Sequence, residues 1–548
     1  MKTGLLTHRM KLILFSISIA ILFLLFFIIL FAKLSNPYRV SIYNYESYLG
    51  KEIINKIKKN YSYHVFKNLD EFTRAIKNKK AVAGVSSDYQ IAQLILENEL
   101  KKINFKKVYG IEYEDNNKKE VISALYTDEV NKQFAYFDNW LINEIKKINP
   151  ENKKNKPYIF YNEKKQAIGF DINNDGQIDN FYEFLIPYFT LDKMIVYNPE
   201  NSQIAKKKRN NLKENQNFAD IKDGKTWLET IKKLTNKYKK PRIYWTNWFL
   251  DNTMIGQFYA HDKKNDQKEN DIWKEFNKDN YKDILNDFNE FVINSTGSSI
   301  KDINRNKLVT DGQELVSSII EPNTGKADIA IMYNGDALDA YYGQDNFASL
   351  PEKNNISFVR PKDTYMNIDA WIISKDTSDS QANLLLSVLN ENLYADTNKK
   401  TKELENQYLN NVFNNLKNKQ PIKETEFLKN LFDNDDINQA KNLEKIDAGF
   451  FKENYEEFQN AWDYDNLPHL MNFHQINYSP SFKNIKNFLK KWYFLDDEKN
   501  PDKKALNIFD LVESAANDQA KINFRAYQPL NLELKTKMIE YYYQITNS

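Results

Sequence analysis

The sequence predicts an α/β protein of at least two lobes behind one N-terminal membrane-spanning helix. Three observations predict it. From Val40 to Leu100 the apolar pattern alternates strand, helix, strand, helix, which implies a mostly parallel sheet with right-handed crossovers. At 548 residues the chain exceeds what one hydrophobic core usually supports. Residues 12–32 carry only Ser16 and Ser18 as polar side chains, and a helix of that length crosses a hydrocarbon layer of about 30 Å.

Taken in order, residues 1–11 read as a cytoplasmic N-terminus and 12–32 as an uncleaved anchor, because the apolar run is longer than the core of a signal peptide. Lys2, Arg9 and Lys11 before the span place the remainder of the chain outside the cell. Val40–Tyr43 and Ala81–Val85 read as strands; Leu69–Ile76 and Ile91–Leu100 read as helices. Residues 105–160, polar and aromatic with weak periodicity, read as an insertion. Phe184–Pro187 and Met194–Tyr197 read as two strands flanking Tyr188-Phe189-Thr190. Trp227–Leu234 is a predicted helix and Ile243–Trp245 a strand. Ala327–Met332 is a buried strand, Asn334-Gly335 a turn, and Ala337–Tyr342 the start of a helix. Ile356–Val359 and Met366–Ile373 complete the strands. Gln381–Tyr394 carries an apolar helical stripe, residues 397–470 contain a second insertion, and Leu532–Gln544 is a C-terminal helix.

Composition excludes several functions. The chain has no cysteine, which removes disulfides, thiolate catalysis and Cys-ligated zinc. Its five histidines show no metalloprotease spacing. With 77 basic and 75 acidic residues the net charge is +2, so there is no general attraction to nucleic acid. No nucleophile elbow or phosphate loop marks an enzyme. The abundance of Asn, Lys and Ile is that of an AT-rich, mollicute-like genome.

One loop suggests a metal. Asp171, Asn173, Asp175, Gln177 and Asp179 place oxygen side chains around Gly176 at the spacing of a calcium loop. The acid expected at the twelfth position falls one place late, at Glu183, and no helix precedes the loop. Structural calcium is therefore one expectation and a plain Asn/Asp/Gly turn the other; no cofactor is required.

The segment Met332-Tyr333-Asn334-Gly335-Asp336-Ala337 sits at a strand's carboxyl end, where open α/β sheets hold ligands. A carboxylate beside an aromatic ring there suits a cation, although Asp336 also reads as a helix cap. Asn44-Tyr45-Glu46-Ser47-Tyr48, Ser87-Asp88-Tyr89, Ile186-Pro187-Tyr188, Thr226-Trp227, Pro361-Lys362-Asp363 through Asp369, and Asn477-Tyr478-Ser479-Pro480 follow the same scheme in order. Together they resemble the spermidine/putrescine-binding proteins of ABC importers, over residues 40 to 545 or so.

That resemblance implies a type II periplasmic-binding-protein-like fold: two lobes, joined by hinge strands and closing on a ligand. It assigns 38–190 with 369–480 to lobe 1 and 191–368 with 481–548 to lobe 2. It implies a polyamine ligand, permease and ATPase partners, and no catalysis. Tyr45, Tyr48, Tyr89 and Tyr333 would form aromatic walls for the methylenes. Asp369 and Asp251 would hold ammonium groups, with Ser87, Tyr478 and Gln528 adding polar contacts and Asp336 and Asp88 as further acceptors. Each cation–π contact contributes about 0.5–2 kcal/mol once dry, and a charge-assisted hydrogen bond about 1.5–3 kcal/mol. Trp248 stands where the family has an acid, and Asn367 where it has tryptophan, so one of three carboxylates is missing. A calcium-dependent surface adhesin or scaffold on the same fold is the alternative, motivated by the insertions and the Asp171–Asp179 loop.

Overall fold

The computed structural model describes residues 8–35, 39–67, 69–199, 212–213, 216–265, 273, 275–321, 326–343, 356–419, 467–496, 500–511 and 521–547. Most of the second predicted insertion, residues 420–466, lies outside them. The first helix, α1 (His8–Ser35), includes a span from Ile13 to Phe31 with mean hydropathy 3.2 and no residue buried in the protein. It is long and apolar enough to cross a membrane, as an anchor or a signal sequence.

After it come β1 (Ser41–Tyr45), α2 (Lys51–Ile57), β2 (Ser62–Phe66), α3 (Leu69–Lys77), β3 (Ala81–Ser87) and α4 (Asp88–Leu96). The last helix starts at Asp88, earlier than its apolar pattern suggested, with Ser87 in an extended N-cap conformation. Residues 105–160 are more regular than their weak periodicity suggested. They form α5 (Phe105–Tyr109), α6 (Lys118–Ser123), α7 (Asp128–Ile148) and the start of the hairpin β4 (Tyr158–Tyr161) and β5 (Ala167–Asp171). The long helix buries Val130, Phe134, Phe137, Leu141 and Ile145 along one face, a 3- and 4-residue spacing interrupted in sequence by other aromatics.

A single strand, β6 (Ile186–Tyr197), replaces the two predicted there, and every one of its residues is buried. There follow α8 (Trp227–Lys237), β7 (Ile243–Thr246), α9 (Phe249–Asn265), α10 (Tyr281–Thr296), β8 (Asn306–Val309), α11 (Gly312–Ile320), β9 (Ile329–Tyr333), α12 (Asn334–Tyr341) and β10 (Ser357–Val359). Thr226 and Glu229 form a reciprocal capping box that starts α8. The predicted Asn334-Gly335 turn is instead the first turn of α12.

The chain then returns through β11 (Asp363–Ile373), followed by α13 (Asp379–Leu389), α14 (Thr401–Lys419), α15 (Pro468–Ile476), β12 (Ser479–Pro480), α16 (Lys483–Trp492), α17 (Lys503–Phe509), β13 (Asn523–Ala526) and α18 (Leu532–Asn547). Asn477 ends α15 in the left-handed conformation, φ +65°, which asparagine tolerates.

The sheet runs β2-β1-β3-β11-β6-β9-β7-β8. It is mixed, not mostly parallel. β1 is parallel to β2 and β3, and β7 to β8 and β9. The two long central strands oppose one another and their outer neighbours. Local alternation reports only the parallel βαβ units of each half; strands that cross between halves leave no such signature. β6 spends residues 186–192 on β11 and 193–197 on β9, so it joins the halves.

Candidate functional site

Strand periodicity builds the site. Tyr365, Asn367 and Asp369 alternate along β11 and so share one face of the sheet. Asp369 lies opposite Ser87 in the β11–β3 ladder, and that pairing sets Ser87 Oγ 2.5 Å from Asp369 Oδ1. Asn367 Nδ2 donates to the same oxygen at 3.1 Å and Tyr48 Oη to the other at 2.7 Å. Tyr45 closes this cluster: its hydroxyl is 3.1 Å from Ser87 Oγ, and its ring meets Tyr48 at 5.2 Å.

Asp369 is buried, and its hydrogen-bond partners among the described residues are these three neutral donors. Burial pushes its carboxyl above the usual range, against the pull of those bonds. Beside it the buried Asn367 Oδ1 accepts no hydrogen bond from the described residues. An ionised carboxylate so placed is costly unless a cation joins it.

A second cluster lies across the join. Lys193 stands opposite Tyr333 in the β6–β9 ladder, and its Nζ is 3.5 Å from the Tyr333 ring centroid and 5.9 Å from that of Tyr365. The ammonium is 2.7 Å from Asp251 Oδ2, with both side chains 1% exposed. The contact misses hydrogen-bonding direction, so its attraction is chiefly Coulombic. The other Asp251 oxygen accepts from Tyr527 Oη at 2.7 Å and Tyr333 Oη at 3.3 Å. Burial lowers the Lys193 pKa, and Asp251 opposes that shift. The adjacent residue, Asp192, faces the other way and takes the Arg360 guanidinium at 2.6 and 3.2 Å.

The clusters are bridged by rings. Tyr478 donates to Asp336 at 2.7 Å and meets the Tyr48 ring at 5.5 Å. Tyr89 meets Tyr527 at 5.3 Å. Tyr478 also packs closely against Gly335, where an added Cβ would come within 2.1 Å of the ring. Glycine serves close approach there, not an unusual backbone angle.

The structure thus brings Tyr45, Tyr48, Ser87, Tyr89, Asp251, Tyr333, Asp336, Asp369 and Tyr478 into one connected group. Gln528 is elsewhere, holding the backbone of Phe276 through both ends of its amide; its neighbour Tyr527 reaches the site. Asp88 lies behind the group, accepting from Gln133 and from the backbone of Tyr89 and Ile368, and burial pushes its carboxyl up to about 8. Sequence reasoning missed Lys193, Tyr365 and Tyr527. A charged Asp192-Lys193 pair inside a strand-like apolar run was the available signal, since buried charges require partners.

The candidate calcium loop is largely held by its own backbone donors and by Lys102. Asp171 accepts from the backbone of Asp175 and Gly176, Asn173 from that of Asp175, Asp175 from that of Gln177, and Asp179 from that of Ile172. Lys102 pairs with Asp179 and lies 3.8 Å from Asp175, placing a positive charge among the acids. Glu183 turns away, capping a short helix and pairing with Lys118.

No protein-family model and no curated protein matches the chain. Among solved structures it is similar to PotD, the spermidine/putrescine ABC transporter substrate-binding protein of Streptococcus pneumoniae, determined with calcium and HEPES. That pair is 12% identical with a TM-score of 0.44, covering 93% of this chain and 98% of the other. A candidate spermidine/putrescine ABC transporter from Listeria monocytogenes is 13% identical, TM-score 0.43, with coverage of 93% and 98%. The TpPotD lipoprotein of Treponema pallidum is 13% identical, TM-score 0.36, covering 66% of this chain and 82% of its own.

Proposed function

We propose that this chain is the extracellular, membrane-anchored solute-binding subunit of an ABC importer, capturing an organic amine as its ammonium ion between its lobes. The single observation that carries the reading is Asp369. It is a buried carboxylate held by three neutral donors, walled by tyrosines and flanked by the unsatisfied Asn367 Oδ1. An ammonium supplies both missing elements, a compensating charge and N–H donors, and the ring faces favour it further. A neutral ligand would leave the carboxylate's charge unbalanced.

The mechanism is lobe closure without covalent chemistry. β6 pairs with β11 in one half of the sheet and with β9 in the other, and ligand contacts from both sides stabilise the closed state by the difference in affinity between closed and open forms. The apolar α1 serves as the anchor in this reading, and a separate permease and ATPase receive the ligand. The reading requires no calcium: an ion in the Asp171–Asp179 loop would have to displace Lys102, which already compensates the acids there.

Isothermal titration of the full chain in detergent with putrescine, spermidine and n-butylamine tests the proposal. Saturable heat with at least one amine at millimolar concentration or below is expected. Absence of heat with all three overturns it.

A further inference from the structure

The Lys193 cluster has the composition expected of an ammonium-binding pocket: one carboxylate, aromatic faces and hydroxyls that hold the carboxylate. Asp251, Tyr333, Tyr365 and Tyr527 surround a cation, and that cation belongs to the chain itself. Lys193 Nζ is 3.5 Å from the Tyr333 ring centroid and its side chain is 1% exposed, so the contact is direct and shielded from water. At the other end of the same face of β11, Asp369 has only neutral hydrogen-bond partners among the described residues. The two carboxylates are therefore unequal, one neutralised from within and the other left for a ligand.

Resting on the amine reading above, we infer that Lys193 is an internal ammonium that fills one of two cation sites and restricts the protein to ligands with a single positive charge. The ligand's ammonium binds Asp369 and Asn367, and its uncharged tail lies among Tyr45, Tyr48, Tyr89 and Tyr478. A second ammonium on the ligand would approach Lys193 in a shielded environment, where like charges repel strongly. Lys193 is thus a specificity-determining residue, acting by excluding charge instead of attracting it.

The groups facing Lys193 are Asp251 from α9, Tyr333 from β9 and Tyr365 from β11, with Asp336 from α12 contributing at longer range. Asp251 provides the direct carboxylate contact, so removing the ammonium leaves Asp251 open to a second cation.

The test compares n-butylamine with putrescine, which match in carbon count and differ in the second amine. Wild-type protein is expected to bind n-butylamine at least tenfold more tightly than putrescine. Lys193→Met is expected to reverse the preference by freeing Asp251. Because Lys193→Met also leaves a buried carboxylate unpaired, Lys193→Met with Asp251→Asn serves as a second variant; there the second ammonium of putrescine has no carboxylate to meet, so n-butylamine should again bind at least tenfold more tightly.

Wild-type protein binding putrescine as tightly as n-butylamine, or the double variant binding putrescine as tightly as n-butylamine, overturns the inference and leaves the amine reading intact. Binding of neither amine, nor of spermidine, overturns both.

Discussion

Asp369→Asn should make the protein more stable and worse at binding, two effects of opposite sign from one atom change. In the wild type, Oδ1 accepts from Ser87 and Asn367, and Oδ2 from Tyr48. An asparagine whose carbonyl replaces Oδ1 keeps the first two bonds. Its amide then donates toward Tyr48, whose hydroxyl rotates to accept. The Tyr48 O–H proton alone loses its acceptor, a smaller cost than that of the buried charge that is gone.

The stability effect follows from the raised carboxyl. A raised carboxyl means the folded state holds more protons than the unfolded one, starting from the ordinary carboxylate pKa near 4. Wild-type stability therefore falls as pH rises from there through the folded-state value. Each unit of the shift removes about 1.4 kcal/mol, and the Asp369→Asn variant escapes this loss. It should melt higher than wild type at pH 8 and lose that advantage toward pH 4, as read by calorimetry without ligand. Binding moves the other way: loss of a charge-assisted bond worth about 1.5–3 kcal/mol weakens the tightest amine about 10- to 150-fold, as read by titration at pH 8. A variant that is less stable at pH 8, or that binds the amine unchanged, would refute the charge argument.

Other outcomes follow from the same geometry. Asp88, raised to about 8 by burial, also contributes stability at low pH that is lost as pH rises from about 4 toward 8. Asp88→Asn should flatten the decline of the urea midpoint between pH 5 and 8, and an unchanged slope would contradict that assignment. Gly335→Ala gains about 1 kcal/mol of helix propensity, but its Cβ overlaps the Tyr478 ring at 2.1 Å. Overpacking costs about 1–3 kcal/mol, and displacing the ring also weakens the Tyr478–Asp336 bond. Net destabilisation of about 1–2 kcal/mol is expected from denaturant unfolding; a higher midpoint would mean the ring is not held there.

Ser87 and Asp369 entered as candidates through the family resemblance and Tyr45 also as an aromatic residue at a strand end; the courses of β1, β3 and β11 explain why these three meet. Gln528 against Tyr527 illustrates the limit. A single-residue offset in an extended segment exchanges the faces presented to a site, and the motif alone did not fix the offset. Lys193 was missed for a different reason. The stretch around Tyr188-Phe189-Thr190 was expected to separate two strands, so a lysine near it carried no implication of burial. Once β6 is one continuous buried strand, period two sends Asp192 and Lys193 to opposite faces, and each must find its own partner. The mixed sheet was illegible for a related reason: pairing between β6 and β11 joins residues far apart in sequence, beyond the reach of local periodicity.

Lys193 also acts as a tethered competitor. It never diffuses away, so any free ammonium seeking Asp251 contends with a group at a high effective concentration, millimolar even for a loose tether and greater for a side chain fixed in a strand. Raising external diamine is thus an inefficient route to that carboxylate. Substitution of the lysine itself is an efficient one. The valence of the ligand accepted by this fold would then rest on one side chain, while the sheet, the rings and the second carboxylate stay as they are.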